Sequence, residues 1–447
     1  MGRSRKKLSD QPFELDIHSQ DAKGLGLAVF EEKKLHVFDA LAGEKVRARY
    51  LFGRSNRGRA ETLEVLSPSA ERVEARCPSF GSCGACSLQH MSMQAQLARK
   101  QAALLKSLRE LGGVEPGEVY APLDAPHWNY RRKARLSVRD VAAKERVLVG
   151  FRERNGRYVA DMDECHILHT IIADALPKMS SMIKTLECRA SVPQIEVACG
   201  DERCAIIIRH MVELSGRDIE TLRAFARETG LGIYLQAAGP ESVTLLEPVD
   251  FQLEYAFESL GLRFRFEPLD FIQVNGALNH RMVKRALELL DPQAGDSILD
   301  LFCGLGNFTL PLAKGAGRVT GLEGSAEMVG RARANAGLNG LENVEFHTAD
   351  LYQAGEVLPW PPADYNKVLL DPPRSGAQEL LPWIAASQVG RVLYISCNPE
   401  TLARDAGILV KQHDFNLIGA GVMNMFPHTH HSEAIALFER KTKGAGA

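Results

Sequence analysis

The sequence predicts a multi-domain chain: an N-terminal OB-like β-barrel, an α+β central domain with a cysteine cluster, and a C-terminal Rossmann-like α/β domain. Three observations carry this. Short alternating apolar segments run from Phe13 to Val65, Cys77, Cys83 and Cys86 follow in a Cys-x5-Cys-x2-Cys run, and from residue 269 strand and helix signals alternate. The expected boundaries are 8–66, 67–268 and 269–440, and 447 residues suffice for several domains. Hydrophobic residues make up 45% without any apolar stretch of membrane-spanning length. The basic start Met1-Gly2-Arg3-Ser4-Arg5-Lys6-Lys7 lacks the apolar segment of an export signal, so a cytoplasmic chain without a membrane role is expected. With 54 basic and 56 acidic residues the net charge is −2, which excludes a uniformly basic coat; a polyanion would have to be met by local patches.

The barrel reading rests on period-two alternation. Phe13, Leu15 and Ile17 alternate, Gly24 and Gly26 punctuate, Val46, Ala48 and Tyr50 alternate against Arg47 and Arg49, and Leu63 and Val65 close five short strands. Lys45, Arg47, Arg49, Arg54, Arg57 and Arg59 run without an acid, interleaved with Tyr50 and Phe52. Cations that track a backbone beside stacking aromatics suit single-stranded nucleic acid. A charge-protected strand edge is the bland alternative. A second basic cluster, Arg131, Arg132, Lys133, Arg135 and Arg139 beside Trp128 and Tyr130, strengthens the RNA reading.

Nine cysteines divide unevenly. Cys77, Cys83 and Cys86, with Cys165 available in Asp163-Glu164-Cys165-His166, offer four thiolates to a metal centre. Structural zinc favours paired Cys-x2-Cys knuckles, whereas three clustered cysteines and a distant fourth favour a [4Fe–4S] site over zinc or unligated thiols. Disulfides are not expected in a reducing compartment, and Cys188, Cys199 and Cys204 read as buried packing residues.

Ser92 to Leu111 reads as a helix with Leu97, Leu104, Leu108 and Leu111 on one face, Arg99, Lys100 and Lys106 elsewhere, and Gly112-Gly113 as its stop. Strand signals then dominate to about Pro268, as in Phe251/Leu253/Tyr255/Phe257.

In the last domain, Ile298 to Phe302 is an apolar strand ending at Cys303-Gly304-Leu305-Gly306-Asn307, and Arg318 to Glu323 is a second strand ending in an acid. Glycines let a ligand approach the backbone, and an acid at that place can accept both ribose hydroxyls. The longer dinucleotide fingerprint is absent, which favours S-adenosylmethionine over NAD. A third strand, Val344 to Thr348, delivers Asp350, and a fourth delivers Asp371-Pro372-Pro373-Arg374; Arg374 stands where an amino-group methylase would carry Tyr or Phe. A fifth strand, Val392 to Ser396, places Cys397 at the carboxyl edge where open α/β sheets bind ligands. A thiol is wanted where the carbon to be methylated is a poor nucleophile, as C5 of uracil is: addition of thiolate to C6 makes C5 enolate-like. Glu433 precedes the strand Ala434 to Phe438 and can act as a base; the nearby His428, His430 and His431 read as loop residues rather than metal ligands.

Gln273 in Phe271-Ile272-Gln273-Val274-Asn275, the glycine turn, Asp371-Pro-Pro-Arg, Ser396-Cys397-Asn398-Pro399 with Thr401 to Asp405, and Phe426-Pro-His-Thr through Glu433 together resemble the RNA uracil-C5 methyltransferases. The barrel resembles a TRAM domain and the four cysteines resemble that family's [4Fe–4S] site, so the resemblance covers nearly the whole chain. Barrel and cluster together are similar to the family branch that acts on 23S ribosomal RNA. The resemblance implies Cys397 as nucleophile, Glu433 as base, and a cofactor and uracil pocket of Gln273, Phe302, Gly304, Gly306, Asn307, Glu323, Asp350 and Asp371. It further implies S-adenosylmethionine and a [4Fe–4S] cluster held by Cys77, Cys83, Cys86 and Cys165, 23S ribosomal RNA as partner, and a monomer. Two other readings remain: a cytosine-C5 RNA methylase, which would carry a Pro-Cys nucleophile motif not present here, and a catalytically silent RNA-binding or assembly factor.

Overall fold

A computed structural model describes residues 11–53, 57–352 and 364–441, with the side chains at 52, 53 and 57 also outside the description. The chain divides into two compact units. One comprises the described residues up to Arg99 with Gly150–Met162 and Pro427–His430; the other comprises Lys100–Val149, Asp163–Phe426 and the chain from His431.

In the first unit, β1 (Phe13–Asp16), β2 (Ser19–Gln20), β3 (Gly26–Phe30), β4 (Lys33–Phe38), β5 (Lys45–Gly53) and β6 (Arg57–Ser67) form one sheet in the order β1-β5-β6-β4-β3-β2. There are six strands where alternation suggested five, because β2 is only two residues long and carries no pattern of its own. Leu15, Leu35, Val37, Val46, Ala48 and Ala60 fill one face, the outcome of a period-two pattern on a half-buried sheet. The acid-free basic run is not a bare cationic stripe. Lys45 pairs with Glu14 at 2.8 Å, Arg47 with Glu64 at 2.6 Å and Arg49 with Glu61, acids supplied by the neighbouring strands β1 and β6. Arg54 and the side chains of Phe52 and Arg57 lie outside the described residues.

Helix α1 (Met93–Ser107) ends in a π turn, Leu108–Gly112, closed by Gly113 at φ +61°. The wider turn rotates Leu111 off the apolar face, so it is 60% exposed, and Lys100, expected away from that face, is 2% exposed. In the second unit β8 (Lys133–Val141), β9 (Arg146–Gly150), β10 (Gln194–Cys199), β11 (Cys204–Arg209), β12 (Gly232–Gln236) and β13 (Val243–Glu247) make a six-stranded sheet in the order β13-β12-β11-β10-β8-β9, with α2 (Thr170–Thr185) and α3 (Gly216–Thr229) in the connections. The second basic cluster belongs largely to this framework: Lys133 is engaged with the Pro268 carbonyl, burial pushes its pKa down to about 8, and Arg132 pairs with Asp201 at 2.5 Å. Cys199 and Cys204 are joined as a disulfide, not packed as separate thiols, because the β10–β11 register sets them directly opposite one another.

After the hairpin β14 (Leu253–Phe257) and β15 (Leu262–Phe266) come α4 (Gly276–Leu290), β16 (Ser297–Leu301), α5 (Thr309–Ala313), β17 (Arg318–Glu323), α6 (Ala326–Leu338), β18 (Val344–Thr348), β19 (Lys367–Leu370), α7 (Leu381–Ala386), β20 (Arg391–Ser396), α8 (Pro399–Gln412), β21 (Phe415–Met423) and β22 (Glu433–Arg440). With the short β7 (Glu118–Val119) they build an eight-stranded sheet in the order β18-β17-β16-β19-β20-β22-β21-β7. β16 to β20 are parallel, and β22 runs antiparallel to both β20 and β21. Ile298, Val319, Leu369 and Leu393 enter one core while Leu299, Leu322, Leu370 and Val392 enter the other, so both faces are covered and the strands read as continuous apolar runs. The connection order reverses between β16 and β19, which opens the ligand crevice of a doubly wound sheet at their carboxyl ends. No helix among the described residues is long and apolar enough to cross a membrane.

Candidate functional site

β16 delivers the first wall of the crevice. Phe302 leaves the strand at φ +65°, an unusual conformation for a residue with a bulky side chain, and Gly304 and Gly306 follow at +57° and +95°. The half-buried Phe302 ring stands 5.9 Å from that of Tyr352. Glu323, at the end of β17, accepts from the Gly304 amide at 3.1 Å and from the Ser325 amide at 3.0 Å, so the acid expected at this edge also holds the glycine turn in shape. Asp350 is exposed past β18 and accepts from the Tyr352 amide at 3.0 Å; Tyr352 in turn bonds Ser375 at 2.7 Å. Asn307 is already paired. Its amide exchanges two hydrogen bonds with Asn279 of α4, at 2.8 and 3.0 Å, and its oxygen also accepts from Tyr255 at 3.0 Å.

β19 and β20 deliver the other side of the crevice. Gln273 donates to Asp371 at 3.5 Å. Cys397 is half-buried between the end of β20 and α8, whose N-cap Asn398 accepts from the Glu400 amide at 3.1 Å and donates to the Arg374 carbonyl at 3.0 Å. Buried Asp405 of α8 accepts from the Ala377 amide at 2.9 Å, from Tyr394 at 2.7 Å and from Arg404, which also reaches the Ser375 carbonyl. The motif residues on either side of Cys397 thus fasten the strand-to-helix turn to the Asp371–Arg374 segment.

Glu433 comes from the antiparallel partner. Ser396 pairs with Ala434 as the last step of the ladder, so Cys397 and Glu433 both adjoin that end of it, and Glu433 lies within electrostatic reach of Cys397. Their electrostatics agree. Burial, then the charges of Glu433 and Asp371, push the Cys397 thiol up to about 11, while Arg374 opposes the rise. Glu433 is pushed well above the usual carboxylate range by burial and by Asp371, again against Arg374, and burial raises Asp371 to about 7. Burial thus moves both carboxyls toward their protonated forms.

Two further buried polar groups stand out. Asp300 of β16 is fully buried, accepts from Thr309 at 2.5 Å, is raised to about 7 by burial, and has no hydrogen-bond partner at its second oxygen. An acid inside the apolar run Ile298-Leu299-Asp300-Leu301 was the available signal. Lys100 donates to the Asn424 side chain at 2.8 Å and to the Phe426 carbonyl at 2.9 Å, and Asn424 donates to Asp124 at 2.9 Å. These bonds fix the outgoing end of β21, whose Met423 pairs with Glu433.

The raised carboxyls predict a pH effect. Folded Asp371 keeps its proton up to about 7, whereas its ordinary value is 3.8, so the folded chain binds more protons in that window and Asp371 contributes a loss of stability as pH climbs through it. Asp371→Asn should therefore become more stable relative to the unsubstituted protein as pH rises from 4 to 8, by up to a few kcal/mol. Ligand-free melting temperatures measured across that range check this; a difference independent of pH would contradict the buried-acid assignment.

Against known sequence families, residues 92–354 and 362–441 match the tRNA (uracil-5-)-methyltransferase family. The chain belongs to this family. It is an RNA uracil-C5 methyltransferase, the enzyme class that the motifs around Cys397 and Asp371 led us to expect. Within the family it is 47% identical over 444 residues to the 23S rRNA (uracil(1939)-C(5))-methyltransferase RlmD of Alkalilimnicola ehrlichii, covering 99% of this chain and 100% of that one. It is 48% identical over 451 residues to the protein of the same name from Hahella chejuensis, covering 98% and 100%. The fold is similar to that of the Pyrococcus abyssi tRNA (uracil-54, C5)-methyltransferase, solved in complex with S-adenosyl-L-homocysteine, with a TM-score of 0.74, 22% identity, and coverage of 95% of this chain and 99% of that one.

Proposed function

We propose that this enzyme methylates C5 of a specific uridine in 23S ribosomal RNA through a covalent Cys397–C6 adduct. The observation that supports the mechanism is the β20–β22 ladder ending at Ser396–Ala434, next to which Cys397 feels the charges of Glu433, Asp371 and Arg374. The substrate follows the names of the relatives that match along the full chain, which specify uracil 1939 of 23S rRNA.

The crevice suits S-adenosylmethionine. Asp300, Asp371 and Glu433 are buried acids that a sulfonium cation would complement, Asp300 keeps an orphan acceptor, and two glycines at positive φ leave the turn open to a nucleoside. When bound, S-adenosylmethionine supplies an electrophilic methyl group for C5. Gln273, Phe302, Gly304, Gly306, Asn307, Glu323, Asp350 and Asp371 would hold the cofactor, beside the pocket for the uracil. The target uridine must leave its stack, since C5 and C6 are shielded within it. Cys397, as thiolate, adds to C6, Arg374 opposes the charge of the flanking acids, Glu433 takes the C5 proton, and departure of Cys397 restores the ring.

The three-domain reading belongs to the same proposal: residues 8–66 as a TRAM barrel that approaches RNA, 67–268 as the central domain with the iron-sulfur site, and 269–440 as the methyltransferase domain. Exposed ion pairs contribute little, so phosphates can displace Glu14, Glu61 and Glu64 from the barrel cations. Tight turns bring order to the cysteine run: Phe80 donates its amide to the Cys77 carbonyl, and Cys83 donates its amide to the Ser79 carbonyl. Cys83 and Cys86 are buried in the first unit, and Cys165 is buried in the second. Four thiolates and no carboxylate in the proposed set suit iron-sulfur chemistry. Anaerobically purified protein should be brown with about four irons per chain, and Cys83→Ser should lose them; colourless protein with zinc instead would overturn the cluster.

Mapping methylated uridines in 23S rRNA from cells with and without the protein tests the substrate. Loss of one 5-methyluridine is expected, and an unchanged 23S map with a uridine lost from another RNA would redirect the assignment.

A further inference from the structure

The β10–β11 hairpin ends on an unusual arrangement. Cys199 and Cys204 face each other with Cα atoms 4.0 Å apart, 0% and 1% exposed, and His169 at the N-cap of α2 brings Nδ1 to 3.4 Å from the Cys204 sulfur. The two sulfurs and an imidazole nitrogen all lie within 4.8 Å of one another. None of the three belongs to the methyl-transfer crevice or to the proposed iron-sulfur set.

Directly opposed residues of an antiparallel pair put their side chains on the same face, so the backbone keeps both sulfurs on one face of the hairpin whether or not they are bonded. The backbone there is held independently of the sulfurs, by the Cys199 amide donating to the Arg132 carbonyl at 2.9 Å and the Gly200 amide donating to the Arg203 carbonyl at 2.8 Å. Burial and then the Arg132 charge hold His169 below its ordinary pKa, which favours the neutral imidazole that can ligate. Thiolate sulfur with imidazole nitrogen is a donor set for soft or borderline d10 cations and a poor one for magnesium or calcium.

We propose that Cys199, Cys204 and His169, with the cysteines reduced, form a binding site for a thiophilic d10 cation such as Zn²⁺, and that the disulfide is the closed form of that site. Opening takes two electrons and two protons from a dithiol reductant, which becomes a disulfide itself. Binding then releases the two thiol protons to solvent as two metal–sulfur bonds form, and the Nδ1 lone pair makes the third bond. Three protein ligands would leave the fourth tetrahedral position to water.

The test uses full-length protein reduced anaerobically and titrated with zinc against a chromophoric chelator. Wild type should take up one more zinc per chain than Cys199→Ala/Cys204→Ala, and the surplus over the variant should vanish when both proteins are oxidised with a small-molecule disulfide. Cysteines elsewhere are common to all samples and cancel in the comparison. His169→Ala should weaken the surplus site by roughly ten-fold or more, since loss of even an outer partner has that effect. Cadmium NMR of reduced wild type needs no variant and should show a resonance with two sulfur and one nitrogen ligands. Equal zinc uptake by wild type and the double variant, wild-type affinity in His169→Ala, or no mixed sulfur–nitrogen cadmium signal would each overturn the proposal.

Discussion

RNA carrying 5-fluorouridine at the target position is expected to become covalently bound to the wild-type protein and not to Cys397→Ala. Fluorine at C5 cannot leave as a proton, so once the methyl group has been added the ring has no route to expel the sulfur. A protein–RNA band that survives denaturation should appear only with S-adenosylmethionine present. Turnover on ordinary uridine should fall in Cys397→Ala by at least the several orders of magnitude that loss of a nucleophile brings, with cofactor affinity retained. The burial that raises the thiol to about 11 adds a second expectation: formation of the band should accelerate as pH rises from 7 toward 9, because the thiolate fraction grows over that range. Absence of a band with wild type, or an identical band with Cys397→Ala, would sink the covalent route.

Glu433→Gln should separate methyl transfer from release. The substituted amide keeps the shape of the buried group without a base, so addition and methylation proceed while the C5 proton stays, and covalent complex should accumulate on unmodified uridine RNA. Turnover should drop by roughly 10²- to 10⁴-fold, the usual reach of a positioned general base. Gel analysis of the denatured mixture reads both quantities. Normal turnover without accumulated adduct would place the base elsewhere.

Much of the catalytic half was legible because parallel strands buried on both faces leave uninterrupted apolar runs, and the acids and thiol at their ends, Glu323, Asp371 and Cys397, stand out against them. Glu433 stands out against the apolar run of β22 that follows it, but the strands that β22 joins depend on an antiparallel register that no local pattern encodes. Long-range partners were hidden. Lys100 looks like a solvent-facing helix cation until Asn424, 324 residues away in sequence, is seen to accept from it. The barrel cations looked unopposed because their glutamates lie on adjacent strands, and Leu111 looked buried because helical periodicity does not foresee a π turn. Asn307 was read as a ligand contact, yet its amide is already shared with Asn279, so its part in holding a nucleoside runs through whatever hydrogen-bonding capacity that pairing leaves.

The knot that Asp405 ties through Ala377, Tyr394 and Arg404 has a mechanical consequence. Three segments around the proposed nucleophile, the end of β20, the middle of α8 and the loop after Asp371, are fastened at one buried carboxylate. If the proposed covalent route holds, strain from a docking RNA would be shared across that knot, and adjustment to an incoming ring would fall to side-chain rotation at Cys397 and Glu433.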